Sequence, residues 1–187
     1  MKKLQLAAAS FLTLIILSFA LSSNAQSKEK DDKIFGDSEA AKAEFIKTDE
    51  SMSALFKNSY GYVIFPNVGK GAFIIGGAGA NGTVYEKGDR IGSAKLRQVS
   101  VGFQAGGQTY REVIFFENED ALDRFKNNTI EFSGQVSAIA AKSNASANAK
   151  YADGVQVYTQ GKNGLMLEAS VGGQKFMYKP LDPDAAE

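Results

Sequence analysis

Five basic residues cluster along the chain around one predicted β-hairpin. They are Lys70, Lys87, Arg90, Lys95 and Arg97. A surface of anionic lipid attracts such residues, and each one close to it adds about 1 kcal/mol to binding. The same residues also fit the solvated edges of a hairpin, where lysine discourages pairing with foreign strands. The five residues are therefore the candidate lipid-binding site, with solvated hairpin edges as the alternative.

Catalytic chemistry finds little support in the composition. The chain contains no histidine and no cysteine, which excludes histidine-based triads, thiolate nucleophiles and the usual zinc and copper sites. Three acidic residues, Glu117, Glu119 and Asp120, lie close together. They flank Asn118, which can cap a helix whose first turn favours acidic residues. We therefore predict a helix start there, and we expect no enzyme and no metal site.

A glycine motif covers residues 77–82. It matches the pattern G-x-G-x-x-G of dinucleotide-binding proteins, but that pattern requires a helix directly after the glycines. Here Thr83, Val84 and Tyr85 follow, and a Lys-Gly-Asp turn comes next. β-Branched and aromatic residues before a turn predict a strand and a hairpin. The glycines then serve bends and close strand contacts, and we expect no cofactor.

The N-terminus has the pattern of an export signal. Lys2 and Lys3 precede an apolar segment at residues 4–21, and small residues ending at Ala25 fit a cleavage site before Gln26. The alternative is a membrane anchor, because about 18 apolar residues lie near the lower limit for spanning a bilayer. We expect a cleaved signal over residues 1–25 and a protein that is periplasmic or secreted.

Cleavage leaves a nearly neutral chain. It removes two of the 21 basic residues and none of the 21 acidic ones, so the remaining 162 residues carry a net charge of −2. General nucleic-acid binding requires a cationic surface, and we therefore expect no nucleic-acid partner. A chain of this length suits one domain with a sizeable core.

The stretch at residues 60–82 organises the predicted fold. It holds two apolar runs and seven of the 19 glycines. The first run, residues 62–65, is apolar at every position, which predicts a strand buried on both faces. Further strands are predicted at residues 96–105, 109–117, 155–160, 165–171 and 175–178, with a hairpin at Lys162-Asn163-Gly164. Residues 129–141 fit either a strand or a helix.

Residues 37–58 predict an amphipathic helix, because apolar residues recur at helical spacing. Such a helix either lies on a membrane or packs one face on the core. The polar residues 26–36 predict a flexible linker, and residues 181–187 an acidic tail. The expected fold class is α+β. It is a single domain with a mainly antiparallel, glycine-rich sheet, barrel-like or sandwich, an N-terminal helix and one or two short helices.

The order of these motifs resembles the SYLF lipid-binding domain family. The similar segments are residues 61–66 with 70–77, residues 101–108, residues 113–125, and the hairpin at 162–165 with Gly172 and Gly173. The resemblance covers residues 38–180, and 37–180 is taken as the domain. Gly92-Ser93-Ala94-Lys95 stands where the family usually has a Trp-Ser-x-Pro-like element.

The resemblance implies a non-enzymatic lipid-binding domain. It implies phosphoinositide ligands and an actin partner for eukaryotic members, neither of which a bacterial exported relative meets in its own compartment. The expected partner is then anionic phospholipid at a membrane surface of the cell envelope. The alternative is a structural or protein-interaction module of the periplasm that binds an envelope protein and no lipid.

Overall fold

The computed structural model describes residues 28–69, 78–98, 109–128, 139–140, 150–161, 164–168 and 174–181. The residues from Ile34 onward form one compact unit, which contains the sheet. In chain order the elements are α1 (28–48), α2 (Met52–Asn58), β1 (Gly61–Val68), β2 (Ala78–Glu86), β3 (Asp89–Gln98), β4 (Tyr110–Phe116), α3 (Glu119–Lys126), β5 (Ile139–Ala140), β6 (Val155–Gly161), β7 (Gly164–Glu168) and β8 (Gln174–Pro180). Within these ranges, no helix has the length and apolar character needed to cross a bilayer.

The eight strands form one sheet in the order β5-β7-β6-β4-β1-β2-β3-β8, and every neighbouring pair is antiparallel. The predicted α+β class with an antiparallel sheet is confirmed. In the described part of the chain the order runs openly from β5 to β8, without the closure of a barrel or the second sheet of a sandwich. Helices pack on both faces, so the apolar side chains are buried without a second sheet.

Strand β1 lies in the centre and is buried on both sides, as its apolar run predicts. Val63 and Phe65 face the core beneath α3, whereas Tyr62 and Ile64 face the core beneath α1 and α2. All four side chains are at most 1% exposed. Burial of large apolar side chains on both faces makes β1 the element on which both helical layers depend.

The N-terminal helix is longer than the sequence predicts at one end and shorter at the other. The predicted linker is wrong over residues 28–36, which are helical, whereas residues 26–27 lie outside the described residues. Their alternating charges, such as Glu29 and Lys33 at i,i+4, support a helix. The predicted helix at 37–58 is divided at Asp49, whose Oδ1 accepts hydrogen bonds from the Ser51 backbone N–H at 3.0 Å and the Ser51 hydroxyl at 2.5 Å. Such a local side-chain bond competes with helix continuation.

Helix α1 packs on the sheet. Ala41 and Phe45 are buried in the core beneath it, and the Ser38 hydroxyl donates to Thr83 Oγ1 at 3.1 Å. Lys42 Nζ lies between 5.2 and 5.8 Å from the ring centroids of three aromatic residues of this core, Phe56, Tyr62 and Tyr85. Of the two predicted roles, packing on the core describes this helix.

Several local predictions are confirmed. The Asn118 side chain accepts a hydrogen bond from the Ala121 backbone N–H at 3.0 Å and caps α3. Residues 78–86 form strand β2 and not a helix, so the dinucleotide motif lacks its structural context. Gly161 pairs with Gly164 across a two-residue loop, as the predicted hairpin requires. Lys70, residues 99–105, residues 129–138 and the tail at 182–187 lie outside the described residues.

Candidate functional site

Strands β3 and β8 place basic side chains on one side of the sheet. The residues facing α3 are buried, among them Ala94, Leu96 and Phe176. Alternation along a strand sends the intervening residues to the opposite face, and there Lys95, Arg97, Lys175, Met177 and Lys179 are all exposed. We call these five residues the β3–β8 cationic face.

The pairing register brings like charges directly together. Arg97 is opposite Lys175 across the antiparallel pair, Lys95 is opposite Met177, and Ser93 is opposite Lys179. Like charges at directly opposed positions destabilise a strand pair. None of the four basic residues forms an ion pair with a residue that the structure describes. The β3–β8 pairing therefore brings four positive charges together on one face of the sheet.

An apolar side chain lies among these charges. Met177 is 41% exposed, and it is one of two large hydrophobic residues that are exposed in the described ranges. The other, Leu181, directly follows β8. A flexible thioether side chain adapts to irregular apolar surroundings. The face thus combines positive charge with an apolar group in its middle.

Gly92 lets β8 approach β3 closely. A Cβ atom at this position would lie 2.4 Å from the backbone oxygen of Lys179 and 2.5 Å from the Tyr178 ring. Real contacts of that length do not occur, so only glycine fits here without movement of β8. Tyr178 also donates from its hydroxyl to the Ile91 backbone oxygen at 3.0 Å. These contacts fix β8 against β3 and set the spacing of the charges.

The other predicted cations lie at the opposite end of the hairpin or outside the described residues. Lys87 is in the β2–β3 turn, where its Nζ lies 4.8 Å from the Tyr60 ring centroid. The Arg90 guanidinium lies 4.8 Å from the Phe35 ring centroid. Lys70 belongs to the segment that the structure does not describe. Of the four predicted cations that the structure describes, Lys95 and Arg97 lie on the β3–β8 cationic face, whereas Lys87 and Arg90 lie near the β2–β3 turn.

A second group of charged and polar residues interacts near the β2–β3 turn. Glu86 accepts hydrogen bonds from the Tyr60 hydroxyl at 3.0 Å and from Lys126 Nζ at 3.2 Å. These bonds lower the pKa of Glu86, the Tyr60 hydroxyl contributing most. Burial and the bond to Glu86 raise the pKa of Tyr60 to about 12. The positive charges here serve contacts within the fold.

Lys175 and Lys179 are absent from the set predicted from the sequence. Their signal is the alternation Lys-Phe-Met-Tyr-Lys over residues 175–179, which places both lysines and Met177 on one face of a strand. Both lysines are far from the first hairpin along the chain, and they lie close to it because β8 pairs with β3. In the ranges that the structure covers, no group of three or more Asp and Glu side chains is arranged to hold a metal ion.

The sequence of this chain is similar to known proteins. Residues 97–180 match the Ysc84 family, described as Las17-binding protein actin regulators. The chain is also 30% identical over 137 residues to beta cell expansion factor A of Aeromonas veronii, covering 73% of this chain and 51% of that protein. The chain thus spans about half the length of this curated relative.

The chain belongs to the Ysc84 (SYLF) family. The matched segment begins at Arg97 and contains β4, α3 and β8. Membership supports a lipid-binding or protein-interaction domain. The resemblance found in the sequence motifs is confirmed.

Proposed function

We propose that this chain is a non-enzymatic lipid-binding protein that binds anionic membrane surfaces through the β3–β8 cationic face. The observation that carries the proposal is the direct opposition of Arg97 and Lys175, with Lys95 and Lys179 beside them. A ligand that carries several negative charges relieves this repulsion. A phospholipid surface supplies such charges across the whole area of the face.

The expected binding energy follows from the number of charges. Each lysine or arginine close to an anionic membrane adds about 1 kcal/mol, so the four basic residues together supply roughly 4 kcal/mol. Met177 lies opposite Lys95 and is exposed. Its side chain adds apolar contact at the headgroup boundary, where amphipathic surfaces bind most strongly.

Export belongs to the same proposal. The pattern of residues 1–25 directs the chain across a membrane, and cleavage before Gln26 leaves it periplasmic or secreted. There the β3–β8 cationic face meets anionic phospholipid of the envelope. N-terminal sequencing of protein from the expressing cells should give Gln26 as the first residue. An intact Met1 on cytoplasmic protein would contradict the export part alone.

Binding to vesicles tests the main proposal. Co-sedimentation with phosphatidylcholine vesicles that contain increasing fractions of phosphatidylglycerol should rise steeply with that fraction and fall with added salt. The double variant R97Q/K175Q removes two positive charges from the face. Its affinity should be about thirtyfold lower, the equivalent of roughly 2 kcal/mol.

A matched variant controls for net charge. The variant K57Q/K150Q also loses two positive charges, from exposed residues outside β3 and β8. Its affinity should stay within about threefold of the unmodified chain, because the two lysines lie off the face. Equal losses in both variants, or binding that ignores phosphatidylglycerol, would overturn the proposal. If the chain does not bind vesicles and a pull-down recovers a stoichiometric protein partner, the protein-interaction module would be favoured.

A further inference from the structure

Strand β8 lies at one end of the sheet. Among the strands that the structure describes it has a neighbour on one side only, which is β3. On the other side the backbone N–H of Phe176 donates to Asn128 Oδ1 at 3.0 Å. Unpaired backbone groups at the edge of a sheet are the groups through which a foreign strand pairs. A side chain therefore occupies a backbone donor that such a strand would use.

The end of α3 holds Asn128 in this position. Its backbone N–H donates to the Phe125 backbone oxygen at 3.0 Å, and its φ angle is +54°. Glycine is the usual residue in a left-handed conformation directly after a helix, and asparagine is found there less often. Glycine would fit the backbone here, but it has no side chain to accept a hydrogen bond from Phe176. The choice of asparagine thus serves the edge of β8.

Alternation along β8 determines which backbone groups face this edge. In an antiparallel pair, every second residue exchanges backbone hydrogen bonds with the partner strand. Since the N–H of Phe176 points away from β3, those of Gln174 and Tyr178 do so as well. Pro180 also has this orientation, but proline has no N–H. The edge therefore has three donors, and Asn128 binds the middle one.

A second copy of β8 fits this edge well in one antiparallel register. When Phe176 of one chain is opposite Phe176 of the other, Gln174 is opposite Tyr178, and each of these positions has a backbone N–H. Lys175 is then opposite Met177, so no two lysines are directly opposed. The register therefore combines a full set of donors with the absence of charge repulsion.

The neighbouring registers are less favourable. Moving the centre by one residue in either direction places Lys175 opposite Lys179 or opposite Lys175 of the other chain, and directly opposed like charges destabilise a strand pair. Moving it by two residues towards the C-terminus brings Pro180 opposite Phe176, where the missing N–H removes a hydrogen bond. The favoured register is thus the one whose central donor is the N–H of Phe176.

We propose that the edge of β8 is a pairing surface for β8 of a second copy, and that Asn128 keeps this surface closed. The Asn128 oxygen occupies the central donor in each chain, so a dimer forms only when both side chains move away. Directly opposed residues lie on the same face of a sheet, so pairing places two β3–β8 cationic faces side by side. The inference rests on the backbone contacts of β8 and not on the proposed lipid binding.

Sedimentation equilibrium of the purified chain tests the proposal with two substitutions of Asn128. Asn128→Gly removes the acceptor and suits the left-handed backbone, whereas Asn128→Asp keeps an acceptor oxygen. One such bond changes an equilibrium about fivefold and a dimer must break two, so Asn128→Gly should dimerise about 25-fold more tightly than the unmodified chain. Asn128→Asp should behave like the unmodified chain. An Asn128→Gly protein that dimerises no more tightly than the unmodified chain would overturn the proposal.

Hydrogen exchange of backbone amides shows whether the substitution acts at the edge or on the whole fold. In dilute, monomeric Asn128→Gly the Phe176 amide should exchange about fivefold faster. The amides of the central strand β1 should exchange at unchanged rates, which establishes that the fold is intact. An unchanged rate at Phe176 would also overturn the proposal, because its N–H would then not depend on Asn128.

Substitutions of Met177 in the Asn128→Gly protein test the register and the occupant. Met177→Glu places a carboxylate opposite Lys175 of the other copy and should tighten the dimer about threefold, whereas Met177→Lys opposes two ammonium groups and should weaken it about threefold. A dimer that both substitutions weaken, or that neither affects, would contradict this pairing. Recovery of a different protein bound to Asn128→Gly, in place of a second copy, would also contradict it.

Discussion

The two ends of strand β3 treat positive charge in opposite ways. Near the β2–β3 turn, Lys87 and Arg90 lie over aromatic rings, and Lys126 pairs with Glu86. At the other end, Arg97 is opposite Lys175 with no ion pair to the described residues. The first arrangement satisfies the charges within the fold. The second places like charges directly opposite each other, although both groups consist of lysine and arginine.

Basic residues that are close in sequence therefore do not all belong to one site. A cation over an aromatic ring contributes about 0.5–1 kcal/mol to the fold at an exposed site. Opposed like charges instead lower stability by a few tenths to about 1 kcal/mol. A surface that weakens the fold in this way is a better candidate for binding than one that supports it.

Substitution of Gly92 should disturb the close packing of β8 against β3. Gly92→Ala places a methyl group against the Lys179 backbone oxygen and the Tyr178 ring, which should lower the free energy of unfolding by about 1–3 kcal/mol and weaken binding to anionic vesicles. Urea unfolding and co-sedimentation measure both. Gly36→Ala is the matched control, because nothing lies within 4 Å of its added Cβ and alanine favours helix. A Gly92→Ala protein as stable as the control would show that the contact is not tight.

Substitution of Arg97 tests whether the opposed charges lower the stability of the fold while they favour lipid binding. Arg97→Glu creates an ion pair with Lys175, which should raise the free energy of unfolding by about 0.2–1 kcal/mol. The same change removes two units of charge from the face and should weaken binding to anionic vesicles about thirtyfold. Arg97→Gln should lie between the two proteins in both measurements. A parallel fall of stability and binding would contradict the division of roles.

The stability contributed by Glu86 near the β2–β3 turn should depend on pH, and Glu86 should not affect lipid binding. The pKa of Glu86 is lowered from its ordinary value of 4.5 in the folded state. Its ionised form therefore stabilises the fold above that value, and this contribution is lost as the pH falls through the lowered pKa. Glu86→Gln should reduce the loss of stability between pH 6 and pH 3 by roughly 0.5–1 kcal/mol. Urea unfolding at both pH values measures this, and vesicle binding at neutral pH should stay within about twofold. An unchanged pH dependence would contradict the role of Glu86.

Much of the fold was predictable because its signals are local. The apolar run at residues 62–65, the Asn118 cap and the hairpin loop before Gly164 each follow from residue type and spacing. The break at Asp49 was missed, since it depends on a side-chain bond to Ser51 that helical periodicity does not reveal. The helical residues 28–36 were missed because their polar composition also fits a linker.

The site was only half predictable, for a topological reason. Lys95 and Arg97 lie in the hairpin that the sequence singles out, whereas Lys175 and Lys179 are about 80 residues further along the chain. They meet because β8 pairs with β3 at the end of the sheet, and no local pattern encodes that pairing.

If the proposed function is right, the face around Met177 contacts the membrane and the β2–β3 turn does not. The chain has no cysteine, so Met177→Cys and Asp89→Cys each provide one attachment point for an environment-sensitive fluorophore. With phosphatidylglycerol vesicles, the label at position 177 should shift its emission to shorter wavelength, and the label at position 89 should remain unchanged. A shift at position 89 with none at position 177 would contradict the account.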